Sequence, residues 1–378
     1  MASASKPRST TRGATRCPPQ SEARSHKAPA RWATRIIPCF LVCVILFACW
    51  ALTKAICIDF FLAKHEYRTA TAFLVLHYIF LVCMLICYAR TIYMVNFDPG
   101  VVPLEPKLGL ETFYTRDFYT CRSDGLPIWC SECQNWKPER AHHSGEIQRC
   151  VRKMDHYCPW AGGMIAETSF KFFIQFCSYT SLYCAVCMSA GAYMTNRQIK
   201  TGTGLSGPAI VLIGVASFFG LFAFTMASLS LRFACINVTN IENLRGRDKV
   251  YQLAIRIPLH EASLSNASAP ARDYETITFP LADPSFDGNR FIYSSDGTPG
   301  SRSGQSPPAA EHKFAIVKTE VGDNPWDTGS TYTNFKSVMG DSGPLDWLLP
   351  LKLSPCCAYN CEYPTGPVVE KLRAGLKA

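Results

Sequence analysis

The chain has 378 residues, of which 48% are hydrophobic and 18% charged, and its formal net charge is +9. These averages conceal long apolar runs between polar segments, whereas a water-soluble domain spreads its apolar residues at helix or strand period. The basic residues lie beside the apolar runs and form no stripe on an identifiable nucleic-acid-binding module, so no nucleic-acid partner is predicted.

Residues 1–35 are rich in Ser, Ala, Pro and basic residues and contain one acidic residue, Glu22, so they are predicted to be a disordered tail. Apolar segments follow at 36–58, 71–95, 170–194 and 209–236. Each is long enough to cross a hydrocarbon core of roughly 30 Å as a helix. The sequence predicts an all-α polytopic membrane protein, with transmembrane helices 1 and 2 in 36–95, helices 3 and 4 in 170–236, and a polar domain, 96–169, between helices 2 and 3.

Basic residues are concentrated in the N-terminal tail, in 96–169 and directly after the fourth apolar segment, while the two short loops contain fewer. The positive-inside rule therefore predicts that both termini and the 96–169 domain are cytosolic. An even number of membrane spans agrees with this orientation. The sequence does not indicate which membrane holds the chain.

Residues 237–378 are predicted to be a largely disordered cytosolic tail, because 258–345 is rich in Ser, Pro, Gly and Asp and has no apolar period. An apolar stretch at 347–351 then precedes three cysteines, Cys356, Cys357 and Cys361. Two interpretations remain open for this stretch. Either it lies on the membrane surface with lipidated cysteines, or it is an apolar part of a disordered end.

Nineteen cysteines suggest a disulfide framework at first, but ten lie inside the apolar runs, where a free Cys behaves as a small hydrophobe. The informative group is in the polar domain: Cys130, Cys133, His143 and Cys150. A Cys-x₂-Cys turn can direct two thiolates at one ion, and four Cys and His ligands suit a closed tetrahedral zinc site. A structural zinc site is therefore predicted.

Asp155, His156 and Cys158 form a second group in the same domain. A thiolate is the reactive form of cysteine, an adjacent His can accept its proton, and a carboxylate can orient that His. Residues this close in sequence are not expected to reach such a geometry on a regular helix or strand, so an irregular backbone is predicted. The pattern beside a zinc site and between membrane spans indicates thiol chemistry at a membrane surface.

The segment 129–176 resembles the cysteine-rich domain of the DHHC-type palmitoyltransferases, in the fungal variant that reads Asp155-His156-Tyr157-Cys158. Further similarities are Lys137-Pro138 before His142-His143, Pro159-Trp160 after Cys158, Asp98-Pro99-Gly100 after the second span, and Thr239-Asn240-Ile241-Glu242 after the fourth. The last of these has Asn240 where the family has a second Thr. As an architecture, the resemblance covers about 36–250.

The resemblance implies a protein S-palmitoyltransferase that acts in two steps. Cys158, activated by His156, would take the acyl group from palmitoyl-CoA and pass it to a cysteine of a membrane-associated protein substrate. Asp155 would orient His156, and the amide of Asn240 would support Asp155. Candidates for the CoA phosphates are Lys137, Arg140 and His142, and candidates for the acyl cavity are Trp160, Phe173 and Phe176.

The family binds two zinc ions through interleaved ligand sets. The first set is complete here, but the second would fall on Ser144, Ile147, Tyr157 and Met164, which do not form a usable zinc site. One zinc ion is therefore expected, with apolar packing in place of the second.

Other interpretations stay open at this point. The chain could be a catalytically inactive zinc-containing membrane scaffold, although such a scaffold has no reason to retain Asp155, His156 and Cys158 together. A small transporter would need more polar residues within its spans than His77 and a few others provide. The basic candidates could form a solvated face, and the aromatic candidates could be ordinary helix packing.

Overall fold

The computed structural model describes residues 27–246, 249–257, 274–279, 312–357 and 361–377. Its helices are α1 (Lys27–Trp50, continuing as a π-helix over Ala51–Leu62), α2 (Tyr67–Phe97), α3 (Glu111–Tyr114), α4 (Phe170–Thr201), α5 (Gly207–Ile236), α6 (Asn240–Leu244), α7 (Thr331–Met339), α8 (Pro344–Leu348) and α9 (Pro367–Lys377). The disorder predicted for 1–26, 258–273 and 280–311 lies outside the described residues.

Among the described residues, four helical segments are long and apolar enough to cross a membrane: Ile36–Leu62, Tyr67–Phe97, Phe170–Thr201 and Gly207–Ile236. The predicted four-span architecture is therefore confirmed. Helix α1 begins at Lys27, inside the segment predicted as a disordered tail. Helix α4 ends at Thr201 and is capped by Gly202, whose φ of 64° is left-handed and favours glycine.

Within the part of the chain that the structure describes, ten short strands supplement the helices. They are β1 (Phe118–Thr120), β2 (Trp129–Cys130), β3 (Asn135–Trp136), β4 (His142–Ser144), β5 (Arg149–Val151), β6 (His156–Cys158), β7 (Gly163–Ile165), β8 (Gln252–Ile257), β9 (Glu275–Phe279) and β10 (His312–Lys318). Strands β2–β3, β4–β5 and β6–β7 form three two-stranded antiparallel units in the domain between α2 and α4.

A four-stranded antiparallel sheet, in the order β1–β8–β10–β9, joins this domain to the C-terminal region. The prediction that 237–378 is largely disordered is therefore wrong for the residues that the structure describes. Leu253, Ile255 and Ala315 are fully buried in the sheet, and Val369 of α9 packs against them. The strands are short and their partners lie far apart in sequence, so no single stretch shows a recognisable apolar period.

The stretch 347–351, for which a membrane-surface location and a disordered end were both left open, is hydrogen-bonded to α4. Gln175 Nε2 donates to the carbonyl of Trp347 at 2.9 Å, and the Tyr179 hydroxyl donates to that of Leu348 at 2.8 Å. Leu345 and Leu351 are 69% and 71% exposed, respectively. This segment is bound to a membrane-spanning helix and exposes leucine side chains. Both features are consistent with a location on the membrane surface, which stays a prediction.

The cysteines that follow point into the protein. Cys356 and Cys361 are buried with Trp326, while Cys357 Sγ donates a hydrogen bond to the carbonyl of Glu167 at 2.8 Å. Lipidation requires an accessible thiol, so this packing argues against lipid anchors at Cys356 and Cys361, whose side chains are buried. Their contacts instead hold the C-terminal region against the domain between α2 and α4.

Candidate active site

The β6–β7 hairpin carries the predicted nucleophile group. His156 and Cys158 are two residues apart on β6, so they share one face of the strand, and Asp155 directly precedes it. The expectation of an irregular backbone is therefore wrong, because an extended strand is sufficient. Cys158 pairs with Gly163, where a Cβ would lie 2.9 Å from the Cβ of Val95. Glycine at this position thus lets the hairpin pack directly on α2.

The charge state of His156 depends on its two neighbours. Its Nδ1 donates a hydrogen bond to Oδ2 of Asp155 at 2.6 Å. Burial by itself lowers the pKa of His156, but the hydrogen bonds and charges of Asp155 and Cys158 outweigh burial and raise that pKa to about 9. The imidazolium therefore persists at neutral pH beside Cys158, whose side chain is only 4% exposed.

The second oxygen of Asp155 accepts a hydrogen bond from the backbone N–H of Asn240 at 2.8 Å. The prediction assigned this contact to the side-chain amide of Asn240, and the structure corrects it. Thr239 and Glu242 form a capping box that holds the first turn of α6, and this turn presents the N–H to Asp155. Because a backbone group makes the contact, Asn in place of a second Thr leaves the support of Asp155 intact.

Arg140 lies in the interior, bound to the same turn. Its Nε and Nη2 donate to the two carboxylate oxygens of Glu242 at 2.9 and 2.7 Å, and its Nη1 donates to Oδ1 of Asn237 at 2.9 Å. Burial raises the pKa of Glu242, but the charge of Arg140 outweighs it and lowers that pKa to about 2. The guanidinium is buried and its hydrogen bonds go to Glu242 and Asn237, so it binds groups of the protein itself and not, as predicted, a CoA phosphate.

The four predicted metal ligands converge in the structure. One ligand atom from each of Cys130, Cys133, His143 and Cys150 lies within 4.8 Å of the others, so the group could hold a metal ion. His143 Nδ1 is 3.6 Å from Cys130 Sγ and 3.3 Å from Cys133 Sγ. These separations match the edges of a tetrahedron with arms of about 2.0–2.3 Å, the geometry that zinc prefers.

The positions of the second ligand set are occupied by apolar packing. Ile147, Tyr157 and Met164 belong to one cluster with Val151, and Met164 is fully buried. Ser144 donates to a carboxylate two residues away. The packing predicted for this region is therefore present.

The aromatic candidates lie around Cys158 and an apolar cavity. Phe173 contacts the His156 ring edge to face, with 5.0 Å between centroids. Trp160 and Phe173 pack in the cluster that contains Cys158, and Phe176 also lines a cavity between α1, α2, α4 and α5 whose accessible lining is entirely apolar. Tyr183 lines the same cavity further along α4.

A second cavity, of about 500 Å³, has a basic lining. Lys137 and His142 belong to it as predicted, and sequence reasoning missed three further cations there: Arg245, Lys249 and Lys318. Arg245 and Lys249 are among the basic residues directly after the fourth span, whose charge indicates orientation, while Lys318 comes from β10. Burial, assisted by the charge of Arg245, lowers the pKa of His142 to about 3, so its imidazole is neutral.

Comparison with known proteins places this geometry in a family. The family described as "DHHC palmitoyltransferase" matches residues 125–247. Palmitoyltransferase pfa5 of Aspergillus fumigatus is 35% identical over 91% of this chain and 90% of its own length. Palmitoyltransferase pfa5 of Emericella nidulans is 34% identical over 91% and 86%, and palmitoyltransferase PFA5 of Eremothecium gossypii is 24% identical over 86% and 82%.

These relatives cover both the membrane helices and the C-terminal region, beyond the cysteine-rich segment itself. They confirm the resemblance drawn from the residues around Cys158 and the protein S-palmitoyltransferase activity that it implies. The chain belongs to the DHHC palmitoyltransferase family.

Proposed function

We propose that the chain transfers its acyl group in two steps through a thioester on Cys158. The thiolate of Cys158 attacks the carbonyl carbon of acyl-CoA, and the leaving CoA thiolate takes a proton from the His156 imidazolium. A substrate cysteine then returns a proton to His156 and attacks the acyl-enzyme, which releases Cys158. The observation that carries this proposal is the buried Asp155–His156–Cys158 group packed against the helices that enclose the apolar cavity.

The position of the thioester tests the proposal. Purified protein is incubated with palmitoyl-CoA bearing an alkyne-tagged chain, and the labelled peptides are mapped before and after hydroxylamine treatment. We expect hydroxylamine-sensitive label on the peptide that contains Cys158. Label confined to other cysteines, such as Cys356 or Cys357, would contradict a Cys158 intermediate.

We propose that the Cys130, Cys133, His143 and Cys150 group binds one Zn²⁺. Four protein ligands close the coordination sphere, so the ion holds the hairpins together and leaves no site for a reacting group. We expect one zinc per chain by elemental analysis and none retained in Cys133→Ser. Two zinc ions per chain would contradict the packing of Ile147, Tyr157 and Met164 as a replacement for the second ion.

The basic cavity is proposed as the site for the phosphates of acyl-CoA. It borders the same short helix as the acyl-transfer group, because Glu242 of α6 lines it and Asn240 of α6 contacts Asp155. His142 lines this cavity, and its Nε2 atom has no hydrogen-bond partner among the described residues, so a bound phosphate would supply one. Cations along the cavity provide charge complementarity.

Replacing both Lys137 and Lys249 with Gln is expected to raise the apparent KM for palmitoyl-CoA about tenfold with kcat nearly unchanged, since phosphate binding is uniform between ground and transition states. Steady-state kinetics at low ionic strength measures this effect. Lys200→Gln, at the opposite end of α4, is the matched control. Equal KM values for the double variant and the control would exclude this cavity as the phosphate site.

We propose the cytosolic side for this domain and for both termini, because the basic residues flank these parts of the chain. Acyl-CoA and substrate cysteines would then share one compartment with Cys158. Protease protection of terminal tags in sealed vesicles tests the orientation, and a protected tag at either end would contradict it.

A further inference from the structure

Tyr88 of α2 contacts both parts of the proposed reaction site. Its hydroxyl donates a hydrogen bond to the carbonyl of Trp160 at 2.8 Å. Its ring stacks on Phe176, with 4.8 Å between centroids and an interplanar angle of 24°. Tyr88 also lines the apolar cavity together with Phe176. One side chain therefore joins the chain segment just after Cys158 to the wall of that cavity.

The segment that receives this hydrogen bond is short and is held from two sides. The ring of Trp160 packs against Phe219 and Phe222 of α5, with centroids 6.3 and 5.8 Å away. Its backbone carbonyl is bound to α2 through Tyr88. Pro159, between Cys158 and Trp160, has no N–H to donate, so it offers no backbone anchor of that kind.

We propose that Tyr88 is a positioning residue for acyl transfer, whose hydroxyl holds the turn after Cys158 against α2 and so fixes the thiol within the cluster that borders the apolar cavity at Phe176. This inference rests on the proposed function, because it assigns the cavity to the acyl chain. A small displacement of a nucleophile is costly, since a shift of about 1 Å can slow a reaction roughly 100-fold. The hydroxyl therefore acts on rate, whereas the ring acts on the shape of the cavity.

Tyr88→Phe separates these two contributions, because it removes the hydroxyl and keeps the ring. We expect single-turnover formation of the acyl-enzyme to slow about tenfold at saturating palmitoyl-CoA, with the apparent KM and the preference among acyl chain lengths unchanged. Tyr88→Leu removes the ring as well and should also alter that preference. Tyr93→Phe is the matched control, since Tyr93 lies on the same helix and is 53% exposed.

A second readout does not depend on acyl transfer. Cys158 is buried, so loosening the following turn should raise its rate of alkylation by iodoacetamide severalfold in Tyr88→Phe and leave it unchanged in Tyr93→Phe. Zinc content equal to that of the wild type would show that the fold is retained.

The outcomes are distinguishable. Alkylation and acylation rates of Tyr88→Phe within twofold of the wild type would overturn the inference. A wild-type protein that forms no thioester on Cys158 would overturn the proposed function instead, and the alkylation comparison would still report whether Tyr88 holds the turn. An altered chain-length preference in Tyr88→Phe would contradict the separation of hydroxyl and ring.

Discussion

Replacing Asp155 with Asn is expected to slow formation of the acyl-enzyme by roughly 10²- to 10⁴-fold. One oxygen of Asp155 accepts from His156 Nδ1 at 2.6 Å, and the other accepts from the Asn240 N–H at 2.8 Å. An amide at this position has nearly the same shape but lacks the negative charge that favours the imidazolium. The pKa of His156 should therefore fall from about 9 towards its ordinary value of about 6.5.

The change at Asp155 should also shift the pH at which the acylation rate begins to fall. In the wild type the imidazolium persists until the pH rises through about 9, so the acylation rate should hold between about pH 7 and 8 and fall above that. In Asp155→Asn the fall should begin near pH 6.5. Single-turnover acylation rates measured against pH locate the fall in each protein, and Cys158→Ala gives the background rate. Asp117→Asn, which replaces an exposed carboxylate of the same domain, is the control. A variant with the wild-type rate and profile would remove Asp155 from the mechanism.

The sequence predicted the groups that depend on local spacing. Cys130 and Cys133 on one turn, and His156 and Cys158 on one strand, converge because their separation along the chain already brings them together. The four spans were predictable for a similar reason, since the length and apolarity of a membrane helix are properties of one continuous segment.

Contacts between distant segments were not predictable from one sequence. Arg140 was predicted to be a phosphate ligand. Nothing in the sequence around it indicates that Glu242, about a hundred residues away, binds it in the protein interior. Lys318 lies in the segment that was predicted to be disordered. It nevertheless lines the basic cavity, because β10 pairs with β8. Such contacts depend on strand pairing across long loops, which no local periodicity reveals.

The C-terminal region completes the site. Asn237 caps the C-terminal end of α5. Its side-chain oxygen accepts a hydrogen bond from Arg140, and its side-chain nitrogen donates one to the carbonyl of Trp326 at 2.7 Å. The Arg140 guanidinium stacks over the Trp326 ring, with its Cζ atom 4.9 Å from the ring centroid. Because Glu242 also belongs to the capping box that presents the Asn240 N–H to Asp155, the buried ion pair connects the C-terminal region to the carboxylate of Asp155.

Glu242→Gln is therefore expected to destabilise the domain by about 3–5 kcal/mol, because it leaves the Arg140 guanidinium buried without its counter-charge. For a domain of this size the midpoint of thermal unfolding should fall by roughly 6–20 °C, followed by tryptophan fluorescence in detergent. Acylation should fall as well, since the turn that supports Asp155 loses its anchor. Both side chains are essentially inaccessible, at 0% and 3% exposure, so water cannot replace the missing charge.

Two comparisons separate the loss of charge pairing from a general sensitivity to substitution. Glu320→Gln breaks an ion pair of the same length, 2.7 Å to Lys371, but both side chains are more than 70% exposed, so its unfolding midpoint should match the wild type. The double variant Arg140→Met, Glu242→Leu removes both charges and should recover most of the stability lost in Glu242→Gln, because an apolar pair leaves no unpaired ion. It should not recover full acylation, because the capping box that seats Asn240 needs the Glu242 carboxylate. A double variant as unstable as Glu242→Gln would mean that the two side chains act through shape, and the charge argument would fail.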